Sequence, residues 1–189
     1  MRVISGSARG TKLSSIEDTS TRPTLDRVKE SLFNIISNRI DEECTALDLF
    51  SGSGAIGIEF LSRGAKKVVF ADLSSKAIKM INQNLEKTHL KEKAEIINKD
   101  YKETLKYLYD KSEKFDVVFI DPPYKMDISV KSLELIEKLE LLKGDGIIII
   151  ETDESLRDTN EISELNTKYK IYDVRKYGRA TLIFLTWKE

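Results

Sequence analysis

The chain has 189 residues, 40% hydrophobic and 33% charged, with a net charge of -1; this predicts one soluble globular domain with at most a small appendage, not a chain drawn to nucleic acid by global charge. Its one cysteine, Cys44, excludes an intrachain disulfide and points to a reducing cytoplasm, and with a single histidine, His89, it makes neither a zinc site nor a Cys/His catalytic pair. No apolar run approaches a membrane span, and the N-terminus lacks a signal-peptide core, so neither a membrane nor a metal is expected as a partner.

Charge is uneven along the chain. Residues 1–13, "MRVISGSARGTKL", carry Arg2, Arg9 and Lys12 and no acid, in a Gly- and Ser-rich stretch that predicts short β or loop structure. "TLDRVKESLFNIISNRI" follows, with Leu25, Val28, Leu32, Ile35 and Ile36 at helical spacing and Thr24 as the expected N-cap. The pattern then alternates. "TALDLF" predicts a strand and "SGAIGIEFLSRG" a helix closed by Gly64; "KKVVFAD" is a second strand and "SSKAIKMINQNLEKTH" its helix. "KAEIIN", "FDVVFID" and "GDGIIIIETD" supply three more strands, with helices at "YKETLKYLYD" and "ISVKSLELIEKLE" between them. "KYKIYDVRKYG" and "RATLIFLTWK" then read as two β segments joined across Gly178-Arg179, a hairpin signal.

Five β/α alternations predict an α/β, doubly wound, mostly parallel sheet, with the hairpin as its antiparallel edge. In such a sheet ligands sit at the carboxyl ends of the strands, where the winding reverses. "LDLFSGSGAIG" occupies that position, and its Gly52, Gly54 and Gly57 let the chain turn sharply and let a ligand approach. A dinucleotide or a nucleoside ligand could use this loop. Asp48, within the strand, would crowd a pyrophosphate but suits a cationic ligand such as a sulfonium. No P-loop Lys-Ser/Thr follows, which disfavours a nucleoside triphosphate. Asp72, ending the second strand, is either a ribose-binding carboxylate or a helix cap. Asp100, ending the third, either meets an adenine amino group or caps the next helix.

"DPPY", Asp121-Pro122-Pro123-Tyr124, ends the fourth strand, and two prolines cannot continue a ladder. An exocyclic amino group on a base is a poor nucleophile because its lone pair is conjugated with the ring. Acceptors aimed at both of its hydrogens pull it out of conjugation, and Asp121 with the Pro122 carbonyl can supply them. Prolines fix that carbonyl with little ordering left to do at binding, and Tyr124 can stack on the base. The simpler alternative is a rigid strand-ending turn.

Together "RVISGSARGTKL", "TRPTLDRVKESLFNII", "LDLFSGSGAIGIE", "FADLS", "DPPY" and "YGRATLIFLTWK" give the chain a resemblance, over essentially its whole length, to the RsmD family. Its members are 16S ribosomal RNA (guanine(966)-N(2))-methyltransferases, within the class I S-adenosylmethionine-dependent enzymes. The resemblance implies a Rossmann-like, seven-stranded methyltransferase domain over 23–189 and a basic, β-hairpin-like, RNA-facing extension over 1–22. It implies that Asp48, Gly52 and Gly54 hold the methionine part of S-adenosylmethionine and Asp72 its ribose, with Asp100 and Tyr101 at the adenine. Phe50, Leu73 and Thr24 complete the cofactor set, and Arg22-Pro23-Thr24 helps close the site. Arg2, Arg9, Lys12, Arg22 and Arg27 would face RNA. Asp72 stands where the family often has Glu, and the shorter carboxylate still reaches a ribose. The implied substrate is guanine N2 in 16S ribosomal RNA, within an assembled or assembling small subunit, methylated by a cytoplasmic monomer. DPPY-type motifs also serve adenine N6 and other nucleic-acid or protein nitrogens, and a nicotinamide-dependent oxidoreductase is the remote alternative on the same kind of sheet.

Overall fold

The structure, a computed structural model, describes residues 1–15, 22–122, 126–153 and 155–188, without the side chains of residues 22–25, 126 and 155–158. After the N-terminal arm come α1 (Arg22–Ile35), β1 (Thr45–Leu49), α2 (Ala55–Ser62), β2 (Lys67–Ala71) and α3 (Ser75–Thr88). The chain continues through β3 (Ala94–Ile97), α4 (Tyr101–Asp110), β4 (Phe115–Ile120), α5 (Met126–Lys138) and β5 (Leu142–Thr152). It closes with α6 (Ser155–Glu164), β6 (Tyr169–Tyr177) and β7 (Ala180–Trp187). No helix among the described residues is long and apolar enough to cross a membrane.

The seven strands form one sheet in the order β3-β2-β1-β4-β5-β7-β6. β1 to β5 run parallel, and β7 lies antiparallel to both β5 and β6. The expected doubly wound sheet with its terminal hairpin is therefore present, turning at Gly178-Arg179 between the paired Tyr177 and Ala180. The winding reverses between β1 and β4, which are neighbours although β2 and β3 separate them in sequence.

Parallel strands buried on both faces carry continuous apolar runs, and alternate residues enter opposite cores. Ala46, Phe70, Val117, Phe119 and Ile149 face one core with α1, α2 and α3; Leu47, Leu49, Val69, Val118 and Ile150 face the other with α4, α5 and α6. The arm belongs to the first core through Val3, Ala8 and Leu13, all buried. Within the arm Arg2 and Lys12 form an antiparallel bridge. Trp187 and Tyr169 pack ring to ring at 4.6 Å beside the edge strand β6.

Both ends of α1 differ from those read in the sequence, and one helix is additional. α1 begins at Arg22 rather than after a Thr24 cap; Pro23 then sits in the first turn, where its missing N–H is not needed. The same helix gives way after Ile35 to a 3-10 turn at Ser37–Arg39. α6 was not anticipated, because its described sequence is polar and Ile162 is its one buried apolar anchor among the described side chains.

Candidate active site

β1 and β4 pair with Asp48 opposite Phe119 and Leu49 opposite Ile120. One residue further, the glycine loop leaves β1 level with Asp121, so the two segments singled out in the sequence emerge side by side at the carboxyl edge. The loop turns through strained backbone. Phe50 takes a φ of 74°, unusual for a residue with a side chain, and Gly52 and Gly54 take 54° and 76°. Ser51 fastens the turn: its Oγ donates to the Asp48 carbonyl at 2.6 Å and accepts from the Ala71 amide at 3.0 Å.

The three glycines do different work. A Cβ on Gly57 would lie 2.2 Å from the Phe70 ring, so this glycine lets α2 pack on the sheet. A Cβ on Gly54 would meet Ile81 at 3.2 Å, whereas one on Gly52 would meet nothing among the described residues. At Gly52, therefore, a ligand can approach the backbone.

Asp48 is 2% exposed, and one oxygen accepts the Gly57 amide at 3.0 Å. Burial, only partly offset by that bond, pushes its carboxyl up to about 7, with Asp121 and Asp72 adding to the rise. Asp72 accepts from the Gly52 amide at 2.9 Å and from the Ser74 amide at 2.8 Å. It thus ties the glycine loop to β2, while Ser74 is the residue that caps α3. Leu73 beside it is 72% exposed, a large apolar surface at the rim.

Asp100 caps α4 by accepting the Glu103 amide at 2.8 Å, the alternative left open in the sequence, and this places the Tyr101 ring 5.9 Å from Phe50. The sheet thus brings Asp48, Phe50, Gly52, Gly54, Asp72, Leu73, Asp100 and Tyr101 to one edge. Solvent reaches Asp121 at the mouth, though protein surrounds it on most sides; burial and then Asp153 push its carboxyl above the usual range. Pro122 is half-buried, and Pro123 and Tyr124 lie outside the described residues.

Glu151 is a neighbour that sequence reasoning passed over. Ile120 pairs with Ile150, so Glu151, still within β5, stands level with Asp121. Burial and then Asp121 raise its carboxyl as well. Its only signal was a place at the end of an apolar strand.

Arg2, Arg9, Lys12 and Arg27 are exposed, while the side chains of Arg22 and Thr24 lie outside the described residues. The arm carrying the first three is held from beneath by Glu59 of α2. This fully buried carboxylate accepts the Ile4 and Ser5 amides at 2.8 and 3.0 Å and pairs with Lys29 and Arg63.

Residues 1–186 match the family described as Conserved hypothetical protein 95. The Bacillus subtilis protein YlbH is 40% identical over 165 residues, 87% of this chain and 89% of that protein. The Ribosomal RNA small subunit methyltransferase D of Haemophilus influenzae is 39% identical over 155 residues, 81% of this chain and 79% of its own. The solved structure of a hypothetical protein from Thermus thermophilus superposes with a TM-score of 0.80 at 26% identity, covering 100% of this chain and 99% of that one. The chain belongs to the Conserved hypothetical protein 95 family, the RsmD family of small-subunit ribosomal RNA methyltransferases.

Proposed function

We propose that this chain methylates the exocyclic N2 of a guanine of the 966 type in 16S ribosomal RNA, with S-adenosylmethionine as donor. The observation that carries the reading is the adjacency of β1 and β4, which sets the glycine loop and Asp121 side by side at the switch point of the sheet.

The residues fit this donor. A buried carboxylate at Asp48, raised towards neutrality, gains from a nearby cation and would oppose a pyrophosphate, which disfavours a nicotinamide dinucleotide. The open side of Gly52 admits the amino-acid portion, Asp72 reaches ribose hydroxyls, and exposed Leu73 offers a flat ring an apolar face. Asp100 and Tyr101 flank the adenine, and Phe50 and Thr24 complete the set. When bound, the donor supplies an electrophilic methyl group on a positively charged sulfur.

Asp121 and the Pro122 carbonyl accept the two amino hydrogens of the base, returning its lone pair to nitrogen. Pro123 stiffens that turn and Tyr124 stacks on the ring. Holding the nitrogen in line with the methyl carbon contributes much of the rate. Asp121, whose raised carboxyl makes it a competent acceptor, takes up the surplus proton.

The exposed cations of the arm, residues 1–22, together with Arg22 and Arg27, meet the phosphate backbone, and the remainder, 23–189, carries the chemistry. The protein works as a cytoplasmic monomer on an assembled or assembling small subunit, from which the base turns outward into the pocket. Deleting the gene and digesting the ribosomal RNA for mass spectrometry tests this. N2-methylguanosine should disappear from small-subunit RNA; loss of an N6-methyladenosine instead, or no change, would contradict the assignment.

A further inference from the structure

We propose that Asn84 is a positioning residue that couples the N-terminal arm to the glycine loop, so that RNA on the arm and cofactor on the loop strengthen one another's binding. This rests on the functional reading above and adds to it a link between its two binding surfaces.

Asn84 lies on α3, contributes nothing obvious to an apolar core, and is nonetheless 0% exposed. Its side-chain amide makes three hydrogen bonds. Oδ1 accepts the Ser14 amide at 2.8 Å, while Nδ2 donates to the Ser14 carbonyl at 3.0 Å and to the Ser53 carbonyl at 2.9 Å. Ser14 requires an acceptor and Ser53 a donor, so the orientation of the amide is fixed by its partners. The side chain thus pairs with one residue of the arm as a neighbouring strand would, and spends its remaining N–H on the loop. Ser53 stands between Gly52 and Gly54, the two left-handed residues whose backbone shapes the cofactor side of the turn.

The opposite end of the arm has its own anchor. Ser62, at the end of α2, donates through Oγ to the Ser5 carbonyl at 2.6 Å and accepts the Ala8 amide at 3.0 Å. Arg9 therefore sits about one length of α2 from the loop, roughly 12 Å for its eight residues. RNA drawn to the arm's exposed cations pulls on a segment clamped at both ends, and Ser14 is the end that meets the cofactor loop. A shift of Ser14 moves the amide, and the amide moves the Ser53 carbonyl.

Linkage requires the effect to be reciprocal. The test is calorimetry of S-adenosylhomocysteine binding to the full chain, with and without small ribosomal subunits isolated from a strain lacking the enzyme. Wild type should bind the ligand about fivefold or more tightly with subunits present. Asn84→Ala, and the nearly isosteric Asn84→Asp, should still bind each partner but with a ratio within about twofold of one. A merely structural role would weaken both affinities and leave their ratio alone. As a measurement needing no variant, subunits alone should slow amide exchange at residues 52–57 of wild type. Intact binding of each partner with a wild-type ratio near one, an unchanged ratio in the variants, or unaltered exchange would overturn the coupling. Failure of wild type to bind S-adenosylhomocysteine at all would overturn the cofactor reading and the coupling with it.

Discussion

Asp48 holds a carboxylate where water cannot solvate it, and this makes its protonation a measurable property of the site. In the folded chain its carboxyl is raised from 3.8 to about 7. The folded state therefore binds the proton more tightly than the unfolded one. The associated stability is complete below 3.8 and is lost as pH rises through about 7. Asp121 and Glu151 are raised too and act in the same direction. The melting temperature of the ligand-free protein should fall between about pH 5 and about pH 8. Across the same interval the preference for S-adenosylmethionine over S-adenosylhomocysteine, which lacks the sulfonium charge, should widen, because a cation favours ionised carboxylates. Asp48→Asn should flatten both trends in thermal melts at matched ionic strength; a wild-type melting temperature that climbs through this interval would contradict the assignment. Asp48 and Asp121 stand out in the sequence because one interrupts an apolar strand just before the glycines and the other ends one just before the prolines. Glu151 and Asn84 do not: a strand-end acid and an amide within a helix look ordinary until a neighbouring strand or loop is placed against them.

At the scale of elements, the glycine loop separates into a residue that packs, Gly57, and one that we propose binds, Gly52. Gly57→Ala gains at most about 1 kcal/mol of helix propensity. Overlap of its Cβ with the Phe70 ring, only 2.2 Å away, outweighs that gain. A net loss of about 1–3 kcal/mol in denaturant unfolding is expected, with cofactor affinity changed only as far as folding is. Gly52→Ala is the converse case. Its new Cβ meets no atom among the described residues but, on the proposed reading, stands in the ligand's space at a φ of 54°. Its cost in stability should be about 1–2 kcal/mol. S-adenosylhomocysteine affinity should fall by more than about tenfold in calorimetry; equal effects of the two changes would refute the division. The parallel strands and their helices were readable from unbroken apolar runs followed by helical periodicity. The end of α1 and the whole of α6 were not, since Ile36 continues the apolar period past the last helical residue, Ile35, and α6 offers almost no period at all.

Across the whole molecule, a net charge of -1 conceals a division of labour. Carboxylates gather at the carboxyl edge of the sheet, and exposed cations ride on an arm that shares a core with α1, α2 and α3. The basic character of residues 1–13 was plain in the sequence; its packing was not, because contacts such as Ile4 and Ser5 on Glu59 join residues more than fifty positions apart. Neutralising Arg2, Arg9 and Lys12 together should weaken RNA binding and reduce the slope of log affinity against log salt by about 2–3. An unchanged slope would take the arm off the RNA surface. The central claim, that Asp121 grips the amino group that the glycine loop's ligand methylates, is tested most directly by Asp121→Ala, assayed for turnover and for S-adenosylhomocysteine affinity on the same preparation. Turnover should drop by roughly 10²–10⁴ while affinity stays within about twofold. Retained turnover, or a collapse of affinity in a folded protein, would contradict it.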